Sequence, residues 1–225
     1  LSAGLVIEEL GKTLTASPLI ATTIAASAII LGGSDEQKAK WLPKLASGAM
    51  TASFALTEPG AGSDAGAITT RARLDGGDYV LNGQKCYITN APEADLFVVM
   101  ARTGVAQSGS GGISAFLVEA ATKGLSTGPI DTKMGQHASH TSDVFFDDCR
   151  ISEGRVMGPV NGGVGVLMSG LDYERVVLAG LQLGIMQACL DTVIPYLRER
   201  TQFGKPIGSF QLMQAKVADM YVALQ

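Results

Sequence analysis

Between residues 50 and 146 turn signals built on glycine recur among short apolar runs, and that spacing constrains the fold more than any other feature. Thr51-Ala52-Ser53-Phe54-Ala55-Leu56 reads as a strand, as do residues 69–74, 79–81, 85–89, 96–101, 113–118 and 143–146. Asp75-Gly76-Gly77, Asn82-Gly83 and Gly111-Gly112 separate these runs as turns, because glycine accepts the positive φ that tight hairpins require. Strands this short, with no helical stretches between them, predict an antiparallel barrel or sandwich rather than a βαβ layer. Residues 104–112 are the most linker-like stretch and read as an exposed loop.

On both sides the pattern is helical. Ser17-Pro18 can open a helix that Gly32-Gly33 ends. Ser34, with Gln37 three residues on, has the form of a capping box ahead of Trp41, Leu42 and Leu45. After Asn161-Gly162-Gly163 a helix runs to about Arg200, and another from Ser209 to the last residue, without a cap, as if cut. The chain therefore reads as α+β in three parts: helices at 1–50, an antiparallel β domain at 51–160, and helices at 161–225. Both helical parts read as partial.

Hydrophobic residues at 46% supply ample core. A net charge of −4 argues against a nucleic-acid partner, which a basic face would attract. Cys86, Cys149 and Cys189 are odd in number and far apart, so no disulfide framework is expected and a reducing compartment is the default. No signal peptide is read at Leu1. The apolar run 19–31 is short, carries threonines and ends at Gly32-Gly33, which favours a core helix over a membrane span.

Four features carry possible chemistry. Leu56-Thr57-Glu58-Pro59-Gly60-Ala61-Gly62-Ser63-Asp64 leads a strand into a Pro-Gly turn whose N–H groups could hold an anion. A dinucleotide fingerprint fails here on glycine spacing and on the lack of a following helix; a plain turn explains the composition as well. In Cys86-Tyr87-Ile88-Thr89-Asn90 an aromatic ring and a hydroxyl share one side of a strand, where both residue types are also simply common. Glu174 lies within a helical stripe of Val164, Leu167, Leu171, Leu178, Ile185 and Cys189. A carboxylate on an apolar face is either paired or functional, and desolvation suits it to act as a general base. Arg198-Glu199-Arg200-Thr201-Gln202-Phe203-Gly204-Lys205 could grip a phosphate, or could be a capped helix end. His137 and His140 are too few for a zinc site, and Ser63 has no His–Asp partners nearby in sequence.

Taken in order, these segments resemble the acyl-CoA dehydrogenase family along the whole chain: Thr57 to Asp64, then Asn82-Gly83-Gln84-Lys85-Cys86-Tyr87-Ile88-Thr89-Asn90, then Lys133-Met134-Gly135, then Arg198 to Lys205. Residues 167–180 and 210–220 look most like the isovaleryl branch. The resemblance implies FAD as cofactor. Phe54, Leu56, Thr57, Gly62 and Ser63 would lie along it, and Tyr87, Ile88 and Thr89 would flank its other side. Arg200, Phe203 and Gln211 would hold the FAD of a neighbouring subunit, which implies a homo-oligomer, usually a dimer of dimers. Ser63, Ser110, Gly111, Asp172, Tyr173, Glu174 and Arg175 would meet the acyl-CoA.

The implied reaction is α,β-dehydrogenation to a trans-2-enoyl-CoA. Glu174 takes the α-proton, hydride passes to flavin N5, and electrons go on to an electron-transferring flavoprotein. The compartment would be cytoplasmic in a bacterium and the mitochondrial matrix in a eukaryote. Gly165 stands where the isovaleryl branch often has Tyr, and Ser110-Gly111 replaces a Ser-Arg pair. Both departures leave the acyl group open. Another chain length, or a catalytically incomplete binding module, are the alternative readings.

Overall fold

The structure, a computed structural model, describes residues 2–104 and 111–225 and leaves aside the side chains at residues 169, 170 and 173. Most of the expected 104–112 loop, including Ser110, thus lies outside the described residues. Three helices come first: α1 (Ser2–Lys12), α2 (Leu19–Gly32) and α3 (Asp35–Ala46). The start of α3 is the expected capping box. Gln37 N donates to Ser34 Oγ at 3.2 Å and Ser34 N donates to Gln37 Oε1 at 3.0 Å. The buried Gln37 amide also donates to the carbonyls of Gly154 and Val156 at 2.9 and 2.8 Å, which ties α3 to the β domain.

The strands are β1 (Ala52–Ala55), β2 (Arg71–Asp75), β3 (Asp78–Thr89), β4 (Leu96–Arg102), β5 (Ile113–Glu119), β6 (Leu125–Thr127), β7 (Thr141–Ser152) and β8 (Val156–Met157). Among the described residues they form one sheet in the order β6-β7-β3-β2-β4-β5-β8, with β1 beside β4. Pairing is antiparallel except that β1 and β2 run parallel to β4, so the sheet is mixed where an antiparallel one was expected. β1 and β2 lie one after the other along the same edge of β4, opposite Leu96–Val99 and Arg102, and the stretch from Leu56 to Thr70 leaves the sheet between them. That excursion carries the candidate site.

Gly76 and Gly77, with φ of 64° and 90°, make the expected two-residue hairpin between β2 and β3. Asn82-Gly83 does not turn. β3 runs straight through it against β7, with a register shift between Leu81 and Gly83. A Cβ on Gly83 would lie 2.7 Å from Thr70 Cα, so glycine is needed there for close backbone approach rather than for chain reversal.

The middle of the sheet is buried on both faces. Leu96, Val98, Met100, Ala115 and Leu117 pack with Ala28, Ile29, Trp41 and Leu167. Phe97, Val99, Phe116 and Val118 pack on the opposite face with Tyr79, Leu81, Val144 and Phe146. That explains why β4 and β5 read as unbroken apolar runs without alternation.

Beyond the sheet lie α4 (Gly163–Glu199), a small ribbon of β9 (Thr201–Gln202) and β10 (Lys205–Pro206), and α5 (Gln211–Leu224). The chain divides into two compact units, Ser17–Glu174 and a second of Leu1–Ala16 with Arg175–Gln225. Within the second, α1 meets α4 through glycines. A Cβ on Gly180 would sit 2.7 Å from Gly4 O, and one on Gly184 would overlap Glu8 O. The buried line of this part of α4 is therefore Val177, Gly180 and Gly184, whereas Cys189, assigned to the stripe from the sequence, is exposed. The stripe holds for Val164, Leu167 and Leu171 and then drifts towards the glycines, which an apolar periodicity does not register. By length and composition Glu174–Glu199 could span a bilayer; its glycines instead pack against α1.

Gly184→Ala should cost about 3 kcal/mol, because a rigid helix backbone blocks the new methyl. Gly165→Ala, with nothing within 4 Å of the added atom, should stay within about 1 kcal/mol of the parent. Thermal melting of both variants checks the pair, and equal melting temperatures would refute the close crossing.

Candidate functional site

The chain leaves β1 at Leu56 and at once closes a tight turn over Glu58-Pro59-Gly60-Ala61. Glu58 N donates to Ala61 O at 2.9 Å and Ala61 N to Glu58 O at 3.0 Å. Proline at the second position suits such a turn. Gly60 and Gly62 would each bear a Cβ with nothing within 4 Å, so this backbone faces open space. Phe54, Leu56 and Thr57 are half-buried; Gly62 and Ser63 are exposed. Only a short 3-10 turn, Ala65–Ala67, follows.

Two residues not singled out from the sequence hold this turn from beneath. Lys85 Nζ lies 2.8 Å from Glu58 Oε1 and also donates to Leu56 O at 3.0 Å. The two side chains are 0% and 3% exposed. Glu58 accepts three further hydrogen bonds, from Thr69 N (2.6 Å), Thr69 Oγ1 (2.8 Å) and Thr70 N (3.0 Å). Burial pushes the Glu58 carboxyl up, but the Lys85 ammonium and the Thr69 and Thr70 donors outweigh it and bring the pKa to about 2. Burial lowers Lys85 to about 8, only partly offset by Glu58. Both are therefore ionised at pH 7. The sequence signal was present: a lysine at an inward position of an apolar strand demands a buried acid.

Arg102, also buried, performs a similar task further on. It donates to Ile68 O at 3.0 Å, Gly66 O at 2.5 Å and Gly111 O at 3.4 Å, which fixes the end of the excursion. Gly111 thus meets a structural arginine.

On β3 the register slips between Lys85 and Ile88, and Tyr87 sits at φ +58° with its ring 72% exposed. An aromatic residue in left-handed backbone is an outlier that marks functional positions more often than neutral ones. Thr89 is exposed beside it, and its carbonyl accepts from Ser53 Oγ at 2.6 Å. Ile88 lies between the two exposed residues with its side chain buried. Strand alternation turns its side chain into the core opposite the two exposed residues, so only its backbone can face a ligand. A second tie, from Cys86 N to Thr57 O at 2.9 Å, joins the turn to this strand.

A cleft of about 590 Å³ opens between residues 63–67 and the α4 side chains of Val164, Leu167 and Met168. Glu174 follows Leu167 by seven residues on the same helix face, about 10.5 Å along the axis. It is half-buried. Asp172 and Arg175 are exposed; the Tyr173 side chain and Ser110 lie outside the description. Gly165 lines a different pocket of about 270 Å³, with Leu31, Pro159 and Val166 among its walls.

In the second compact unit, Arg200 is exposed just past α4. Phe203, 91% exposed at φ +52°, shares the β9–β10 turn with Gly204. The Phe203 ring meets Phe210 edge-on at 6.1 Å, and the exposed Gln211 opens α5. A short ribbon thus presents an arginine and an aromatic ring to the outside.

An open glycine turn, an exposed aromatic ring on the adjoining strand, and a cleft against the helix that carries a half-buried acid can take a flat heterocycle beside a substrate. Models of the N-terminal, middle and C-terminal domains of acyl-CoA dehydrogenases match residues 1–49, 53–149 and 161–225. The mitochondrial isovaleryl-CoA dehydrogenase of Solanum tuberosum is 49% identical over 205 residues, 91% of this chain and 49% of that protein. The mitochondrial 2-methylacyl-CoA dehydrogenase of the same plant is 48% identical over 207 residues, 92% of this chain and 50% of that protein. A solved structure described as PigA with FAD and proline superposes with a TM-score of 0.92 at 34% identity, covering 98% of this chain and 59% of that one. The chain spans about half the length of the curated relatives it matches. Three consecutive domain matches along one chain, with the helix, sheet and helix order of the fold beneath them, make it a member of the acyl-CoA dehydrogenase family.

Proposed function

We propose that this chain binds FAD and takes part in the α,β-dehydrogenation of an acyl-CoA thioester to a trans-2-enoyl-CoA, with a short branched acyl group such as isovaleryl. The observation that carries the reading is the shared cleft: Ser63 and its neighbours on one wall, and on the other the apolar face of α4 that leads to Glu174. FAD, when bound, supplies the two-electron acceptor that takes the β-hydrogen as hydride at N5.

The residues fit that group. Phe54, Leu56 and Thr57 on the chain entering the turn, and the exposed Gly62 and Ser63 after it, offer one wall, with open space above Gly60 and Gly62. The Tyr87 ring, the Ile88 backbone and the Thr89 hydroxyl offer a second wall. Glu174, half-buried on the face of α4 that carries Leu171 one turn before it, removes the substrate α-proton. Ser63 and Asp172 border the thioester and its pantetheine arm. Arg200, Phe203 and Gln211 meet the FAD of a neighbouring subunit in a dimer of dimers, in keeping with the exposed Phe203, Leu212, Tyr221 and Val222. Electrons pass on to an electron-transferring flavoprotein. The compartment follows the host, the mitochondrial matrix in a eukaryote and the cytoplasm in a bacterium.

A second acyl group has nearly equal support, because this chain is 49% identical to the isovaleryl relative and 48% identical to the 2-methylacyl one. The purified protein should show a flavin visible spectrum that isovaleryl-CoA bleaches anaerobically. Bleaching by 2-methylacyl-CoA in its place moves the assignment within the branched class. A correctly folded colourless protein that takes up no FAD counts against the whole reading.

A further inference from the structure

Lys85 and Glu58 form a full-charge pair in the core of a domain that has ample apolar material. Such a pair is a poor stabiliser, because the desolvation of both ions offsets their attraction. At pH 7 the lowered Glu58 favours the folded state and the lowered Lys85 opposes it, so the two ionisations act against each other. What the pair does is sought in what it touches.

It touches both segments on which the flavin reading stands. The ammonium reaches one acid of the turn and one carbonyl of the chain entering it, Glu58 Oε1 at 2.8 Å and Leu56 O at 3.0 Å. The carboxylate gathers Thr69 N, Thr69 Oγ1 and Thr70 N, the point at which the excursion rejoins the sheet. Lys85 itself is two residues before Tyr87, at the edge of the register slip that turns the Tyr87 ring outwards. Three chain segments far apart in sequence therefore meet at one ammonium and one carboxylate. An apolar contact of the same size has no direction; this cluster specifies which carbonyl and which amides must face it.

We propose that the buried Lys85–Glu58 pair is the positioning device of the cofactor wall, fixing the 56–63 turn against the Tyr87–Thr89 edge. This rests on the flavin reading of that wall. Lys85 and Glu58 do not touch the ligand themselves; they act through Leu56, Thr57 and the turn backbone.

The test uses the double variant Lys85→Met/Glu58→Gln, which keeps both volumes and one acceptor oxygen for the two Thr69 donors. Its apoprotein should melt within a few degrees of the parent. Its FAD dissociation constant, from quenching of flavin fluorescence, should rise at least tenfold, and the visible circular dichroism of the bound flavin should change. Amide exchange at Ala61 and Cys86, whose N–H groups donate to Glu58 O and Thr57 O, should quicken at least tenfold while β4 and β5 amides stay protected. Parent-like FAD affinity together with parent-like exchange at Ala61 and Cys86 overturns the proposal. Quickened exchange in a chain whose parent form takes up no FAD keeps the positioning role and removes the flavin reading, so the two failures separate. If the double variant does not fold, Lys85→Met alone, which leaves Glu58 three donors, is measured in the same way with the same outcomes.

Discussion

Replacing Glu174 with glutamine should leave FAD and acyl-CoA bound but slow anaerobic bleaching of the flavin by roughly 10²–10⁴-fold, the range a positioned general base contributes. Glutamine keeps the size and one acceptor oxygen of the carboxylate and loses only its capacity to take a proton. The visible spectrum and the acyl-CoA dissociation constant therefore act as internal controls, and stopped-flow bleaching isolates the proton step. The helix supports the assignment. Val164, Leu167 and Leu171 hold one face of α4 against the core, and Glu174 continues that face as a half-buried acid. Bleaching at near-parent rate would remove Glu174 as the base and return it to a structural role.

The second large effect concerns stability. Glu58→Ala should cost about 3–5 kcal/mol, because it strands the Lys85 ammonium in the core and leaves the Thr69 and Thr70 amides without their acceptor. Its pH dependence identifies the cause. Glu58 has a folded pKa of about 2 against an ordinary 4.5, so its contribution is fully present above pH 4.5 and is lost as the pH falls towards 2. Over that window the parent should lose about 3 kcal/mol from this one group. The alanine variant should lack that part of the acid limb. Urea unfolding at steps between pH 2.5 and about 7 decides it, and parallel curves for parent and variant would show that the carboxylate is not what the acid titrates.

Much of this was legible in residue order, and the exceptions have a common physical origin. The Ser34–Gln37 box and the Gly76-Gly77 hairpin are local devices, complete within four residues, and local pattern finds them. Asn82-Gly83 looks like a hairpin of the same kind but serves an approach by Thr70, twelve or more residues away, so its local form misleads. Ile88 shares a motif with Tyr87 and Thr89, and strand alternation places its side chain in the core between theirs. Glu58 and Lys85 lie in two separate motifs, and nothing in either motif names the other as partner. The site is legible as a set of segments; the contacts that join the segments depend on a sheet register that no segment contains.

The glycine crossing of α1 and α4 bears on how this sequence can vary. What fills the space above Gly184 is the carbonyl oxygen of Glu8, and above Gly180 the carbonyl oxygen of Gly4. Main-chain atoms are the same whatever side chain stands at residue 8 or 4. A larger residue at 180 or 184 therefore has no second-site suppressor across the contact, and drift at these two positions is closed by the backbone itself.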